Sequence, residues 1–261
     1  SYKTITDIKN DLQKLIAEQL TACGFNEIMN NSLTAEGYYT GLAAFPVANC
    51  VKLMNPLSND LNVMRQTLLF GGLESIAHNI NRRKANLKMY EFGNVYQFNP
   101  EADQSEKVLA PYSEHTSLGI WMTGNDVEGN WAKKETAVTV YDLKAVVENM
   151  FARLGVTAGE LVMTQASDDV FSAKLDITNR GGKAVGALGV VKYALLKKMD
   201  IEQPVFFAEF NWDAIVKLAA KKKVTFSDLP KTQPVKRDLA LLVDQAVTFA
   251  QIEKVVKASE K

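Results

Sequence analysis

Residues 88–98 read KMYEFGNVYQF, and this run predicts a β-strand, and therefore a sheet, in the middle of the chain. Its aromatic and β-branched residues favour a strand, along which successive side chains point to opposite faces. Glu91 therefore faces away from Tyr90 and Phe92. An acid inside an apolar strand is either a catalytic carboxylate or a hydrogen-bonded structural group. The structural role is the interpretation we favour.

The segments around this strand alternate between helical and extended patterns. An acidic, proline-containing insertion is expected at 98–115, and a hairpin turn at 179–183. Because the strands meet through hairpins and irregular loops, an antiparallel α+β sheet is expected. Apolar spacing predicts helices at 6–21, 66–82, 140–154, 212–219 and 249–258. Strands are predicted at 25–34, just before 55, at 61–65, 87–98 and 116–123, on both sides of the turn, and at 205–210 and 237–243.

The composition is that of an ordinary globular protein. The chain has 261 residues, of which 47% are hydrophobic, and its 30 basic residues balance 30 acidic ones. This balance excludes a global field that would attract nucleic acid or an anionic membrane. No apolar run approaches the roughly 18 residues of a membrane span. Cys23 and Cys50 fit reduced core cysteines of a cytoplasmic protein better than a disulfide.

Charge is distributed unevenly along the chain. From Ala214 to Lys261 there are ten Lys or Arg residues and five Asp or Glu residues, a net charge of 10 − 5 = +5. This shift predicts a boundary near residue 221. The chain starts at a serine and stops within a helical pattern, so we expect it to be a fragment of a longer protein.

Searches for established catalytic motifs find none. The chain has no GxxxxGK[ST] loop for phosphate and no G-x-S-x-G nucleophile turn. Two cysteines and two histidines, His78 and His115, are too few and too dispersed for a zinc site. The glycines beside Lys183 lie between two strands and are interpreted as a plain turn.

Five polar residues at three places in the chain have more than one interpretation. His115 beside Glu114 could be an acid–base pair, but an exposed loop histidine is favoured. Asp168 and Asp169 lie in a polar segment and are expected to face water. Arg65 stands where a strand enters a helix, and its planar guanidinium could bind a carboxylate or phosphate ligand or a structural acid.

Four segments resemble the β subunit of bacterial phenylalanyl-tRNA synthetases. They occur in the family's order and span nearly the whole chain, with Phe70 standing where the family usually has proline. The segments are NPLSNDLNVMRQTLLFGGLESIAHNINRRKANLKMYEFGNVY, TVYDLKAVVENMFARLG, LLKKMDIEQPVFFAEFNWDAI and FSDLPKTQPVKRDLALLVD.

The resemblance implies two domains and a position in the C-terminal part of such a subunit. Residues 1–220 resemble a non-catalytic class II aminoacyl-tRNA synthetase core, an antiparallel sheet flanked by helices. Residues 221–261 resemble a linker and the first part of a ferredoxin-like anticodon-binding domain.

The resemblance also implies that this core lacks the catalytic charges. Active class II enzymes stabilise the transferring phosphate with arginines. Here Gln97 and Asn99 occupy the places of the arginine and glutamate in the pattern Gly-x-Val-Phe-Arg-x-Glu. The late Gly-x-Gly-x-Gly-x-x-Arg motif is reduced to Gly186 and Gly189, with no arginine between Gly181 and Lys236. No catalytic, cofactor-binding or metal residue is therefore expected.

Three functions follow as hypotheses. The first is a catalytically silent core that pairs with the catalytic α subunit through residues 6–34 in an (αβ)₂ phenylalanine–tRNA ligase, where the α subunit uses ATP and Mg²⁺. The second is a ligase with its own active site, which the missing arginines disfavour. The third is an RNA-binding module that contacts tRNA through Lys231, Lys236 and Arg237.

Overall fold

The computed structural model describes residues 3–102, 107–220, 222, 226, 228–229, 231–233 and 235–259. The chain divides into two compact units, Ser1–Lys223 and Val224–Lys261. In the first unit the helices are α1 (Ile5–Ala22), α2 (Leu69–Ile80), α3 (Val140–Arg153), α4 (Tyr193–Lys198) and α5 (Trp212–Ala219). Its strands are β1 (Asn26–Glu27), β2 (Leu33–Thr34), β3 (Val51–Lys52), β4 (Val63–Met64), β5 (Leu87–Phe98), β6 (Tyr112–Thr123), β7 (Asn125–Val127), β8 (Thr136–Ala137), β9 (Leu161–Ala166), β10 (Phe171–Asn179), β11 (Ala184–Val191) and β12 (Val205–Asn211).

A seven-stranded sheet in the order β1-β5-β6-β12-β11-β10-β9 organises the first unit. Every neighbouring pair in it is antiparallel except β1 and β5, which are parallel. The longest hairpin joins β5 to β6 over twelve paired residues, from Leu87 with Thr123 to Phe98 with Tyr112. The prediction of a mainly antiparallel α+β sheet is confirmed.

Helices cover both faces of this sheet, because alternate residues of its strands are apolar on either side. Helices α1, α3 and α5 pack on the face that carries Tyr90, Ile120 and Phe210. Helices α2 and α4 pack on the opposite face, with Trp121 and Phe207.

Local sequence explains how α1 begins and ends. Thr4 and Asp7 form a capping box, in which the Thr4 hydroxyl accepts from the Asp7 N–H and the Asp7 carboxylate accepts from the Thr4 N–H. Gly24 has a φ of +85°, the left-handed conformation that closes a helix at low cost for glycine. Cys23 is the C-terminal cap of α1, and Gly24 directly follows it.

Several predicted boundaries are wrong, each where tertiary contacts override local pattern. The strand expected over 25–34 is two short strands in different sheets, because Asn30 and its neighbours turn to contact Glu91. The helix expected from Gln66 begins at Leu69, since the N–H groups of Gln66 and Leu68 donate to the Tyr39 hydroxyl and the Glu209 carboxylate instead of continuing a helix. Strand β6 begins at Tyr112, four residues before the prediction, because it pairs with all of β5.

The second unit contains helix α6 (Phe249–Ser259), which matches the predicted helix at 249–258. The strand predicted at 237–243 is wrong, since these residues form no strand. Leu239 and Leu242 are exposed there, and among the described residues of this unit no strand supplies the hydrogen-bonding partner that a strand needs.

Candidate functional site

Two acids, Glu91 fully buried and Glu209 partly buried, lie in one row across the centre of the large sheet. Glu91 on β5 and Glu209 on β12 both pair with Gly119 on the strand between them. Both side chains therefore point to the face covered by α2, which we call the Glu91 face. Few acids are buried in a protein unless they are paired or hydrogen-bonded, and such acids often belong to functional sites. This row is therefore the candidate site.

Glu91 is neutralised by Arg65. Its Oε1 accepts from Arg65 Nη1 at 2.7 Å, and the two side chains are only 1% and 6% exposed. Glu91 also accepts from the N–H of Asn30 at 3.2 Å and from Asn30 Nδ2 at 2.8 Å. Arg65 Nε donates to the carbonyl of Asn94 at 2.9 Å. All these contacts are internal, so Arg65 binds a structural acid and Glu91 has the structural role that we favoured.

Gly93 makes room for this ion pair. A Cβ at this position would lie 2.2 Å from Arg65 Nη2 and 3.0 Å from Glu91 Oε1. Any side chain there would displace the guanidinium. The glycine of the opening stretch is therefore explained by the approach of Arg65.

Glu209 is partly buried and has no ion pair of its own among the described residues. Its carboxylate accepts from the Thr67 hydroxyl and from the N–H of Leu68 at 3.2 Å. Burial raises the pKa of Glu209, and these hydrogen bonds together with the charge of Arg65 only partly oppose the rise. The carboxyl thus caps the entry to α2 and does not face an open site.

The raised pKa of Glu209 predicts a pH dependence of stability. The native state binds the Glu209 proton more tightly than the unfolded state, so stability falls as pH rises from about 4.5 towards the raised value. Glu209→Gln should reduce this fall, measured as the free energy of unfolding in urea at several pH values. Glu148→Gln, at an exposed position on α3, should keep the wild-type profile. An unchanged profile in Glu209→Gln would contradict the prediction.

The indole of Trp121 packs on the Glu91 face. Trp121 is fully buried between β6 and α2, and its ring centroid lies 5.0 Å from that of Phe207. A Cβ at Gly72 would lie 2.1 Å from Trp121 Cε2, and one at Gly119 would lie 2.5 Å from its Cη2. The two glycines therefore let the indole lie between the helix and the sheet.

The space left beside these residues is small. A cavity of about 60 Å³ lies next to Arg65, Thr67 and Phe70, and one of about 130 Å³ lies between α5 and the turn at 179–183. Small-molecule sites usually enclose about 300–1,000 Å³. Neither cavity has the volume for a nucleotide.

Gln97 and Asn99 lie at the far end of β5. Gln97 is exposed, pairs with Ser113, and follows Val95 on the Glu91 face. Asn99 turns the chain out of the strand, where its Oδ1 accepts from the N–H of Glu101 at 3.0 Å. Two helices follow later strands of the sheet, α4 beginning at Tyr193 and α5 beginning at Trp212. Neither helix contains an arginine.

Two further expectations are wrong. Asp168 and Asp169 do not simply face water: Asp168 accepts from the N–H groups of Val170 and Phe171, and Asp169 accepts from those of Ala43 and Ala44. Loop carboxylates near free backbone N–H groups bind them, because those donors need partners.

His115 is not in an exposed loop but half-buried within β6. Burial lowers its pKa, against the opposing charge of Asp213. Its neighbour Glu114 points to the other face and accepts from Asn94 Nδ2, so the two do not form an acid–base pair.

The turn at 179–183, the two cysteines and the basic residues of the second unit can each be compared with their prediction. Gly182 has a φ of +75° in a hairpin turn, which confirms the plain-turn interpretation. Cys23 and Cys50 are both free, although Cys23 is exposed and so is not a core residue. Lys231, Lys236 and Arg237 are exposed in the second unit. In the part of the chain that the structure describes, no three His, Cys, Asp or Glu side chains converge to hold a metal ion.

Sequence reasoning missed Glu209 and Trp121. Glu209 lies in VFFAEFN and carries the same signal as Glu91, one acid inside an apolar strand. Trp121 gave no such signal, since an aromatic residue in a strand is ordinary.

Comparison with known proteins identifies the family. Residues 3–212 match the model described as "Phenylalanyl tRNA synthetase beta chain CLM domain". A phenylalanine–tRNA ligase β subunit from Bacteroides fragilis is 52% identical over 98% of this chain and 31% of its own length. The β subunit from Porphyromonas gingivalis is 45% identical over 100% of this chain and 32% of its own. The chain thus spans about a third of these relatives, and its C-terminal placement in them stays a prediction.

Solved structures agree on the fold. A pyrrolysyl-tRNA synthetase from Desulfitobacterium hafniense superposes with a TM-score of 0.57, covering 80% of this chain and 68% of that one at 15% identity. None of the described helices is both long and apolar enough to cross a membrane. The chain belongs to the family of the phenylalanyl-tRNA synthetase β chain CLM domain.

Proposed function

We propose that the chain is the catalytically silent core of a phenylalanine–tRNA ligase β subunit, which supports ATP-dependent charging of tRNA(Phe) by pairing with a catalytic α subunit. The family match and the two named relatives support the assignment to this ligase. The proposal includes an (αβ)₂ assembly in the cytoplasm, a position late in the intact subunit, and a ferredoxin-like domain that begins after residue 220.

The observation that carries this proposal is the state of the Glu91 face. A class II active site needs cations directed at a phosphate and room for the nucleotide. Here Arg65 is engaged by Glu91, Trp121 occupies the centre, and neutral Gln97 stands at the strand end. These residues do not fit ATP. They support the assignment of ATP and Mg²⁺ to the α subunit.

The proposed α-binding surface consists of α1, which packs on one face of the sheet, and β1, the strand at the sheet's edge. Within residues 6–34, Met29 is 92% exposed although methionine is apolar. Methionine is enriched at protein interfaces, so an exposed one beside the edge strand supports contact with a protein partner. Strand β9 forms the opposite edge and so offers a control position.

A binding experiment tests the surface. The chain should co-purify with its cognate α subunit, and Met29→Asp should weaken that binding about tenfold, because it places a charge in an apolar contact. Val162→Asp on β9, also at an exposed apolar position, should bind as wild type does. Equal loss in both variants, or no binding by the folded wild-type chain, would refute the pairing.

An exchange assay tests catalytic silence. The chain alone should show no phenylalanine-dependent exchange of pyrophosphate into ATP, because Arg65 is paired with Glu91 and neutral Gln97 stands at the strand end. Exchange above a no-protein control would overturn the assignment and favour the ligase with its own site.

The RNA-binding hypothesis stays as the alternative. Lys231, Lys236 and Arg237 are exposed, so they are accessible to tRNA. Three exposed cations support weak, salt-sensitive and largely non-specific binding. Sub-micromolar tRNA affinity at physiological salt that disappears on replacing these three residues would favour this alternative.

A further inference from the structure

A basic turn follows α2 and lies beside the hairpin of β7 and β8. The turn contains Arg82, Arg83 and Lys84, all exposed. Asn86 Nδ2 donates to Glu128 Oε1 at 3.0 Å, and Asn86 Oδ1 accepts from the N–H of Asn125 at 2.8 Å. These bonds join the turn to the hairpin, and Lys88 and Asp126 form an ion pair across the same junction.

The hairpin presents an aromatic side chain to solvent. Trp131 is 99% exposed. Its backbone is nevertheless ordered, because Asn130 Oδ1 accepts from the N–H groups of Ala132 and Lys133 at 2.9 and 3.0 Å, and the Asn130 N–H donates to the Lys133 carbonyl at 2.9 Å. A tight turn that holds a tryptophan in water exposes a large apolar area at a fixed position.

The acidic side chains of this region bond to neighbouring side chains, whereas most of its basic side chains contact no acid among the described residues. Asp126 binds Lys88, Glu128 binds Asn86, and Glu135 accepts from Asn125. Within the described residues, no acidic side chain contacts the cations of four residues, namely Arg83, Lys84, Lys133 and Lys134.

Neutralising the dipole of α2 does not account for these cations. Arg82 already serves that purpose, since its Nη1 donates to the carbonyl of His78 at 3.1 Å. Arg83 has a φ of +62°, a left-handed backbone that is uncommon for a residue other than glycine. The chain therefore turns sharply at Arg83, and the side chains of Arg83 and Lys84 are exposed to solvent.

We propose that this surface, Arg83–Lys84 together with Trp131 and Lys133–Lys134, binds a single-stranded segment of RNA. The cations would contact phosphates and the indole would stack on an unpaired base, the combination used by single-strand binding proteins. A protein partner is less well matched, because a binding tryptophan is usually surrounded by other apolar contacts, and the residues around Trp131 are polar or small. This inference goes beyond the proposed function and does not depend on it.

The two halves of the surface are close enough for one strand. Arg83 and Trp131 are each three residues from the bonded pair Asn86 and Glu128. At about 3.6 Å per residue, their Cα atoms lie within roughly 30 Å of each other. A short oligonucleotide can span that distance.

Tryptophan fluorescence provides a direct test. Trp121 and Trp212 are fully buried, so among the three tryptophans only Trp131 can stack on added RNA. A short oligouridine should quench the emission of the chain at about 50 mM salt, and Trp131→Ala should weaken binding about tenfold in a label-based assay. Arg83→Gln/Lys84→Gln should reduce the salt dependence, lowering the slope of log K against log salt by about 1.4.

Two controls make the result specific. Lys14→Gln/Arg153→Gln removes two cations from α1 and α3, on the other face of the sheet, and should leave RNA binding unchanged. Replacing Lys231, Lys236 and Arg237 by Gln should leave the quenching of Trp131 in place. Absent binding by the wild type, equal loss in the control double variant, or loss only in the tail variant would each overturn the proposal.

Discussion

Replacing Arg65 by methionine should lower the free energy of unfolding by about 3–5 kcal/mol, because it leaves Glu91 as a buried carboxylate without a cation. Asn30 would still donate two hydrogen bonds to Glu91, but neither carries a charge. The guanidinium also supports backbone, since its Nε bonds the Asn94 carbonyl. The effect should appear as a lower midpoint in urea unfolding.

Replacing both partners distinguishes the effect of the charges of the ion pair from the effect of the volume that the two side chains occupy. Arg65→Met/Glu91→Leu should be less destabilised than Arg65→Met alone, because no uncompensated charge remains in the interior. Lys144→Ala provides the control for an exposed pair, and its loss should stay below about 0.5 kcal/mol. If Arg65→Met matched that control, the ion pair would not stabilise the fold.

The elements that the sequence predicted well are those whose pattern is local. Strand β5 was predicted to the residue at Leu87–Phe98, and α5 likewise at Trp212–Ala219. Both have regular apolar periodicity with clear ends. The segment at 237–243 has an equally apolar pattern and forms no strand, because a strand also needs a hydrogen-bonding neighbour.

The candidate site was predictable only in part, for the same reason. The structural role of Glu91 followed from one acid inside an apolar strand. Its partner Arg65 lies 26 residues away, and the match depends on where α2 docks on the sheet. Asp169 binds backbone N–H groups about 125 residues away, which no local pattern reports.

Replacing Gly72 by alanine should destabilise the chain by about 1–3 kcal/mol, since the new Cβ would overlap the indole of Trp121. The indole cannot move easily, because it is fully buried and packs against Phe207. Trp121→Ala should cost more, about 3–5 kcal/mol, through lost contacts and a cavity. Both losses can be measured by urea unfolding.

The double variant should reverse the sign of the Gly72 effect. In the Trp121→Ala background the added methyl meets no indole, and alanine is about 1 kcal/mol better than glycine inside a helix. Gly72→Ala should therefore stabilise that background. Gly37→Ala, where a Cβ would have no atom within 4 Å, should change stability by less than about 0.5 kcal/mol. Additive losses at Gly72 and Trp121 would show that the two do not share one space.

The same variant distinguishes two explanations for a silent core. If the volume of Trp121 alone kept nucleotide out, Trp121→Ala should bind ATP and show pyrophosphate exchange. We expect neither, because Arg65 remains paired with Glu91 and Gln97 remains neutral, so neither residue offers a free cation to a transferring phosphate. Exchange by Trp121→Ala, absent in wild type, would show that packing and not the loss of an arginine silenced this core.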